Sequence, residues 1–141
     1  MYRLKTALVA IFLLALGGVA RAEYPDWNRL ADIQVIDVLT VDEDGTLRET
    51  PVWFVLLNGE AYLRTSNSHW LENLRRDSNL RIEIEGKIYE AQVEEISDQG
   101  MVEKVDIASQ RKYGWQEYLI NFFRMSSPQI LRILPQEQAR D

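Results

Sequence analysis

The stretch Pro51-Val52-Trp53-Phe54-Val55-Leu56-Leu57-Asn58-Gly59-Glu60-Ala61-Tyr62-Leu63-Arg64-Thr65 decides the fold. A run of β-branched, aromatic and aliphatic residues leads into Asn58-Gly59, a dipeptide that tolerates the two positive-φ positions of a type I′ turn. Glu60 to Thr65 then returns as a second strand of the hairpin. Val52 to Leu57 is apolar on both faces, so this strand is expected to be covered on both sides, as a central barrel strand is.

Downstream of the hairpin, Ser66-Asn67-Ser68 offers hydroxyl and amide side chains suited to capping a helix over 69–76, with Trp70, Leu71 and Leu74 as its apolar stripe. Leu80, Ile82 and Ile84 alternate with Arg81, Glu83 and Glu85 in the pattern of a half-buried strand, and Gly86-Lys87 turns it back into a strand over 88–96. Asp98 caps a helix over 99–113 whose buried positions would include Val102, Val105 and Ala108 or Ser109. Gly114 is placed to end it. Residues 115–123 read as a further helical turn or two, and 130–134 as a final strand closed by Pro135. Upstream, 33–41 is the first strand, ended by Asp42-Glu43-Asp44-Gly45. Those carboxylates lack the further acidic ligands of a calcium loop and read as a plain turn. Trp27, Leu30 and Ala31 suggest a short helix within 24–32.

The pattern is therefore mainly β with α: a six-stranded, largely antiparallel barrel with two to three short helices. It lacks the regular strand–helix alternation of a doubly wound sheet. The chain has 141 residues and a net charge of −6, an acidic balance that argues against nucleic acid or an anionic membrane as partner. It contains no cysteine and one histidine, His69, which excludes disulfides, thiolate nucleophiles and cysteine-based zinc sites. Arg3 and Lys5, the uncharged run Thr6 to Ala20, and Ala20-Arg21-Ala22 form the three parts of a secretory signal. Residues 1–22 are thus expected to be a signal peptide cleaved after Ala22, and 23–141 a single exported domain, periplasmic or secreted, with no membrane association after cleavage.

The order of these motifs resembles the flavin-binding split β-barrel superfamily, which includes pyridoxamine phosphate oxidases and deazaflavin-dependent nitroreductases. The similarity is carried by Pro51 to Thr65, by Trp70-Leu71-Glu72-Asn73-Leu74-Arg75-Arg76 and the alternating strand up to Ile84, and by Val105-Asp106, Lys112-Tyr113 and Leu131-Arg132-Ile133-Leu134-Pro135. It covers roughly residues 48 to 135. In that group the cofactor phosphate lies where the third strand meets the following helix. The resemblance therefore implies a cofactor site of Arg64, Thr65, Ser66 and Ser68, with Trp53 and Trp70 available to flank a ring, FMN or a deazaflavin as the ligand, and a homodimer as the working unit. Flavin-type oxidases usually carry a lysine shortly after the serine, where this chain has His69-Trp70.

Two functions follow. One is a flavin- or deazaflavin-binding oxidoreductase of the nitroreductase or quinone-reductase kind, in which the cofactor carries the chemistry and no acid–base motif is required. The other, with equal weight on the cofactor question, is a non-catalytic binding or structural module that keeps the barrel without a cofactor. Each site residue also has a plain structural use. Thr65, Ser66 and Ser68 can serve as strand end and helix cap, Arg64 can face solvent, Trp53 and Trp70 can be core, and Arg75, Arg76 and Arg81 can balance neighbouring acids. No residue is assigned to catalysis and none to a metal.

Overall fold

The computed structural model describes residues 23–114 and 128–136. Six strands, β1 (Val35–Val41), β2 (Leu47–Leu57), β3 (Glu60–Thr65), β4 (Asn79–Ile84), β5 (Lys87–Ile96) and β6 (Gln129–Leu134), form a closed barrel in the order β1-β2-β3-β6-β5-β4, and every neighbouring pair is antiparallel. Two helices, α1 (His69–Arg76) and α2 (Gln99–Tyr113), join β3 to β4 and follow β5. A single 3-10 turn, Trp27–Leu30, stands where the first short helix is expected. The helical turns expected over 115–123 lie outside the described residues. Among the described residues no helix is long and apolar enough to cross a membrane.

The hairpin forms as its sequence requires. Asn58 and Gly59 take φ values of 53° and 77°, and Leu57 pairs with Glu60 across the turn. Alternation then sorts the side chains. Val52, Phe54, Ala61 and Leu63 enter the barrel interior with Ile36, Val38, Leu80, Ile82, Ala91, Leu131 and Ile133. Val55, Tyr62 and Ile130 point the other way and are covered by α2 through Val105. This is the two-sided burial expected of β2.

Trp70, Leu71 and Leu74 of α1 join the interior cluster, so α1 stops one end of the barrel. Both helices start and stop where their caps dictate. The Ser68 hydroxyl accepts from the Leu71 N–H at 3.3 Å, the Asp98 carboxylate accepts from the Met101 N–H at 2.9 Å, and Gly114, at φ 63°, donates its N–H to the Gln110 carbonyl at 2.8 Å. In α2 the buried positions are Val105 and Ser109, with Val102 and Ala108 half-buried.

One strand is longer than its apolar pattern indicates. β2 begins at Leu47 and carries Pro51 inside it, because β1 pairs with the whole of 47–53 while β3 reaches only 54–57. Pro51 therefore sits where β2 is paired on one side alone, where a missing N–H costs least. The turn at 42–45 is tied by hydrogen bonds from Asp42 N–H to the Thr46 carbonyl and from Gly45 N–H to the Asp42 carbonyl. The last strand in sequence, β6, lies between β3 and β5 and closes the barrel.

Candidate functional site

At the junction of β3 and α1 the chain changes direction through Ser66-Asn67-Ser68, and the short polar side chains there organise it. The Thr65 hydroxyl lies 2.9 Å from the Ser66 carbonyl and 3.1 Å from the Ser68 hydroxyl, and can donate its one proton to either. Ser68 also caps α1, so the structural reading of this residue holds whatever else it does. The junction opens onto a cavity of about 470 Å³ on the outer side of β2 and β3, bounded by α1 and by the Ser109 and Tyr113 positions of α2. A volume of this size suits a small-molecule ligand.

All six residues assigned to a cofactor from sequence, Trp53, Arg64, Thr65, Ser66, Ser68 and Trp70, line this one cavity. They are not equivalent. Thr65 and Trp70 are buried, Trp53, Arg64, Ser66 and Ser68 half-buried. Arg64 is in an ion pair with Asp106 of α2, Nε to Oδ1 2.8 Å, and so does not face solvent as a plain surface arginine would. His69 lies at the rim and is exposed.

The lining also includes Arg48, Ser109 and Tyr113, to which the sequence assigns no site role. Arg48 reaches the cavity because β2 extends back to Leu47, and its guanidinium makes a two-pronged pair with Asp42 at 2.7 and 3.0 Å. The Arg48 hydrogen bonds, followed by one from Asn73, hold the Asp42 carboxyl down at about 2. Ser109 is on α2, and so is Tyr113, whose ring stacks on the Trp53 indole with centroids 4.3 Å apart and planes 8° from parallel. Its hydroxyl accepts from the Phe54 N–H at 3.0 Å and lies within donor reach of the Phe54 carbonyl (2.7 Å) and the Gln34 carbonyl (2.8 Å). Since Val35 pairs with Trp53, Gln34 and Phe54 would be the next pair of the β1–β2 ladder. The phenol hydroxyl is wedged between them and substitutes for the lost ladder bonds. Burial pushes the Tyr113 hydroxyl up to about 12, so it stays protonated.

Both arginines of the cavity wall are backed by a carboxylate, Arg48 by Asp42 and Arg64 by Asp106. Among the described residues the wall presents Arg48, Arg64, His69 and several hydroxyls, and no carboxylate lines it, although the chain as a whole is acidic. Arg75, Arg76 and Arg81 lie outside the cavity. Arg75 pairs with Glu95 of β5 at 2.6 Å, and Arg76 donates to the Asn73 side-chain carbonyl at 2.7 Å and to the Val41 carbonyl at 3.0 Å. Arg81 is on β4, away from the cavity, opposite Glu90 of β5.

Fold and cavity together define the class: a split β-barrel with a ligand-sized hollow on its outer face. The chain belongs to the bacterial family described as "Uncharacterized protein conserved in bacteria (DUF2255)", which it matches over residues 26–129. Three solved structures share the fold. The conserved hypothetical protein Rv2991 from Mycobacterium tuberculosis is 17% identical, with a TM-score of 0.64 over 84% of each chain. The heme storage protein HutZ from Vibrio cholerae is 16% identical, with a TM-score of 0.62 over 84% of this chain and 92% of that one. An F420-H2 dependent reductase is 14% identical, with a TM-score of 0.56 over 72% and 94%. At these identities the likeness establishes the fold alone. No curated protein is similar to the chain.

Proposed function

We propose that the cavity binds a planar, phosphate-bearing redox cofactor, FMN or a deazaflavin, and that the protein is an exported oxidoreductase acting on a small acceptor. The observation that carries this reading is the pairing, in one cavity, of a set of hydroxyl and guanidinium donors with an aromatic wall. Thr65, Ser66, Ser68, Arg48 and Arg64 present hydroxyls and guanidinium groups to an anion, while Trp53 and Tyr113 offer a flat apolar surface to a ring. The donor chemistry thus fits the group. A bound flavin-type cofactor would supply hydride transfer, and the chain's own contribution is position, exclusion of water and charge balance. Arg64 orients the anion with Asp106 behind it, and the Trp53–Tyr113 stack fixes the plane. Fold relatives that act as an F420-H2 dependent reductase and a heme storage protein support a ligand-binding use of the barrel.

A second reading is a module that keeps the barrel without a cofactor. It is favoured by one observation: the Thr65 and Ser68 hydroxyls already have partners in each other and in the α1 cap.

Fluorescence titration of the purified protein with FMN and with a deazaflavin separates the two. Saturable quenching at micromolar concentration is expected, with riboflavin, which lacks the phosphate, much weaker. Arg64→Ala removes a charge-assisted hydrogen bond and should weaken binding roughly tenfold to a hundredfold. Arg81→Ala should change little. Binding insensitive to Arg64 would place the site elsewhere, and absence of binding to either flavin or to haem leaves the module. The same reading takes residues 1–22 as a removed leader and the working unit as a homodimer. Intact mass of the native protein starting at Glu23, and sedimentation as a dimer, are the expected results.

A further inference from the structure

Along α2, three side chains mark out the cavity. Asp106 holds Arg64 of β3, Ser109 follows three residues later, and Tyr113, one turn further on, stacks on Trp53 of β2. At 3.6 residues per turn these positions fall within about 60° of one another, so they share the helix face turned to the barrel. Ser109 therefore stands between the residue that fixes a guanidinium and the residue that builds the aromatic wall.

Ser109 is 3% exposed, and among the described residues its hydroxyl has no hydrogen-bond partner. The other buried polar side chains differ. Thr40 and Asn73 bond each other, and Thr65 meets Ser68. A serine inside a helix commonly turns its hydroxyl back to the carbonyl one turn earlier, which here is that of Val105, and Ser109 does not do so. Nor is the position one that favours a polar group for packing. Val105 and Ser109 are the buried residues of α2, one turn apart on the stripe that covers Val55, Tyr62 and Ile130. A large aliphatic side chain at 109 would fill the space, whereas serine keeps the cavity open and puts a hydroxyl on its wall. A buried hydroxyl left without a partner is unfavourable, which makes a partner from the ligand the natural use for it.

We propose that Ser109 is a specificity-determining residue that hydrogen-bonds a hydroxylated chain joining the ring of the ligand to its phosphate. The inference rests on the reading of this cavity as a flavin-type site and names the part of the ligand that Ser109 selects. Its neighbours on the helix decide which part that is. The Asp106 carboxylate, three residues back on the same face, disfavours a phosphate beside Ser109, and the ring belongs to the Trp53–Tyr113 wall one turn ahead. What passes Ser109 is the neutral segment between them. A serine hydroxyl donates one hydrogen bond and accepts others, the same capacity as each hydroxyl of a polyol, so the two complement each other in either direction. An aliphatic chain of the same length would leave the Ser109 hydroxyl without a partner.

The test is a calorimetric titration of the purified protein and of Ser109→Ala with two ligands: FMN, and the flavin phosphate in which an unhydroxylated pentyl chain replaces the ribityl chain. The protein is expected to bind FMN about tenfold more tightly than the pentyl analogue, the worth of one hydrogen bond. Ser109→Ala should weaken FMN by about the same factor and leave the analogue unchanged, so that the variant no longer tells the two apart. Without ligand, the thermal midpoint of Ser109→Ala should be equal to or above that of the parent, since the hydroxyl removed serves nothing in the fold. A lower midpoint would give the hydroxyl a structural role and overturn the proposal. Equal weakening of FMN and analogue would do the same, because it puts the effect on the ring or on cavity shape. FMN binding that depends on Arg64 but is indifferent to Ser109 overturns this inference and leaves the cofactor site standing, whereas failure of the parent protein to bind FMN overturns both.

Discussion

Asn73→Leu should cost the protein about 3 kcal/mol of folding free energy, a substantial share of the roughly 5 to 15 kcal/mol by which a domain is stable. Asn73 is 5% exposed, and its side-chain amide is fully used: Nδ2 donates to the Thr40 hydroxyl at 3.0 Å and the Asp42 carboxylate at 2.8 Å, while Oδ1 accepts from Arg76 at 2.7 Å. Two of the three partners are charged, and hydrogen bonds to charged groups contribute about 1.5 to 3 kcal/mol each. Hydration of Arg76 and the apolar surface of the leucine recover part of the loss. Urea unfolding should show a lower midpoint with an unchanged slope. A cost under about 1 kcal/mol would mean that this network does not tie α1 to β1. The acid limb should respond as well. Asp42 is held below its unfolded value, so its contribution is present above that value and lost as pH falls through about 2. Without Asn73 that loss begins at higher pH.

Tyr113→Ala is the second large effect, about 3 to 5 kcal/mol, because it removes a stacked ring and a hydroxyl that serves three backbone groups. Tyr113→Phe separates the two contributions. It keeps the ring on Trp53 but strands the Phe54 N–H, and should cost about 2 kcal/mol. If Tyr113→Phe is neutral in thermal and urea unfolding, the hydroxyl is not the wedge described above. The pH dependence provides an independent check. The Tyr113 hydroxyl titrates near 12 in the folded state and near 10 when unfolded, so its contribution is present below 10 and is lost as pH rises from 10 to 12. Lys112 acts in the opposite direction, from about 8 to 10.5, since burial lowers its folded value. Tyr24 and Tyr62 are also raised by burial, so Tyr113→Phe should shallow the alkaline decline without abolishing it.

The elements legible in the sequence are those that local chemistry terminates. Asn58-Gly59 fixed one turn, and Ser68, Asp98 and Gly114 set helix limits that the structure reproduces residue for residue. The extension of β2 through Arg48-Glu49-Thr50-Pro51 was not legible, since polar residues and a proline carry no strand pattern and the pairing is imposed by β1. The same distinction divides the site. Arg64 to Trp70 could be read together because they are adjacent in the chain. Arg48 enters through that β2 extension, and Tyr113 through a contact 59 residues away in sequence, so neither announces itself locally.

The position of β6 bears on how the chain reaches this state. Until residues 129–134 arrive, β3 and β5 are both open edges, with backbone donors and acceptors facing outward along their length. Everything upstream can form hairpins as it emerges, but the cylinder can only be completed by its C-terminal piece inserting between two waiting strands. A chain delivered in sequence order therefore passes through a stage in which it could pair with its neighbours, and Glu90, Glu94 and Glu95 on β5 are the kind of charge that keeps such an edge from doing so.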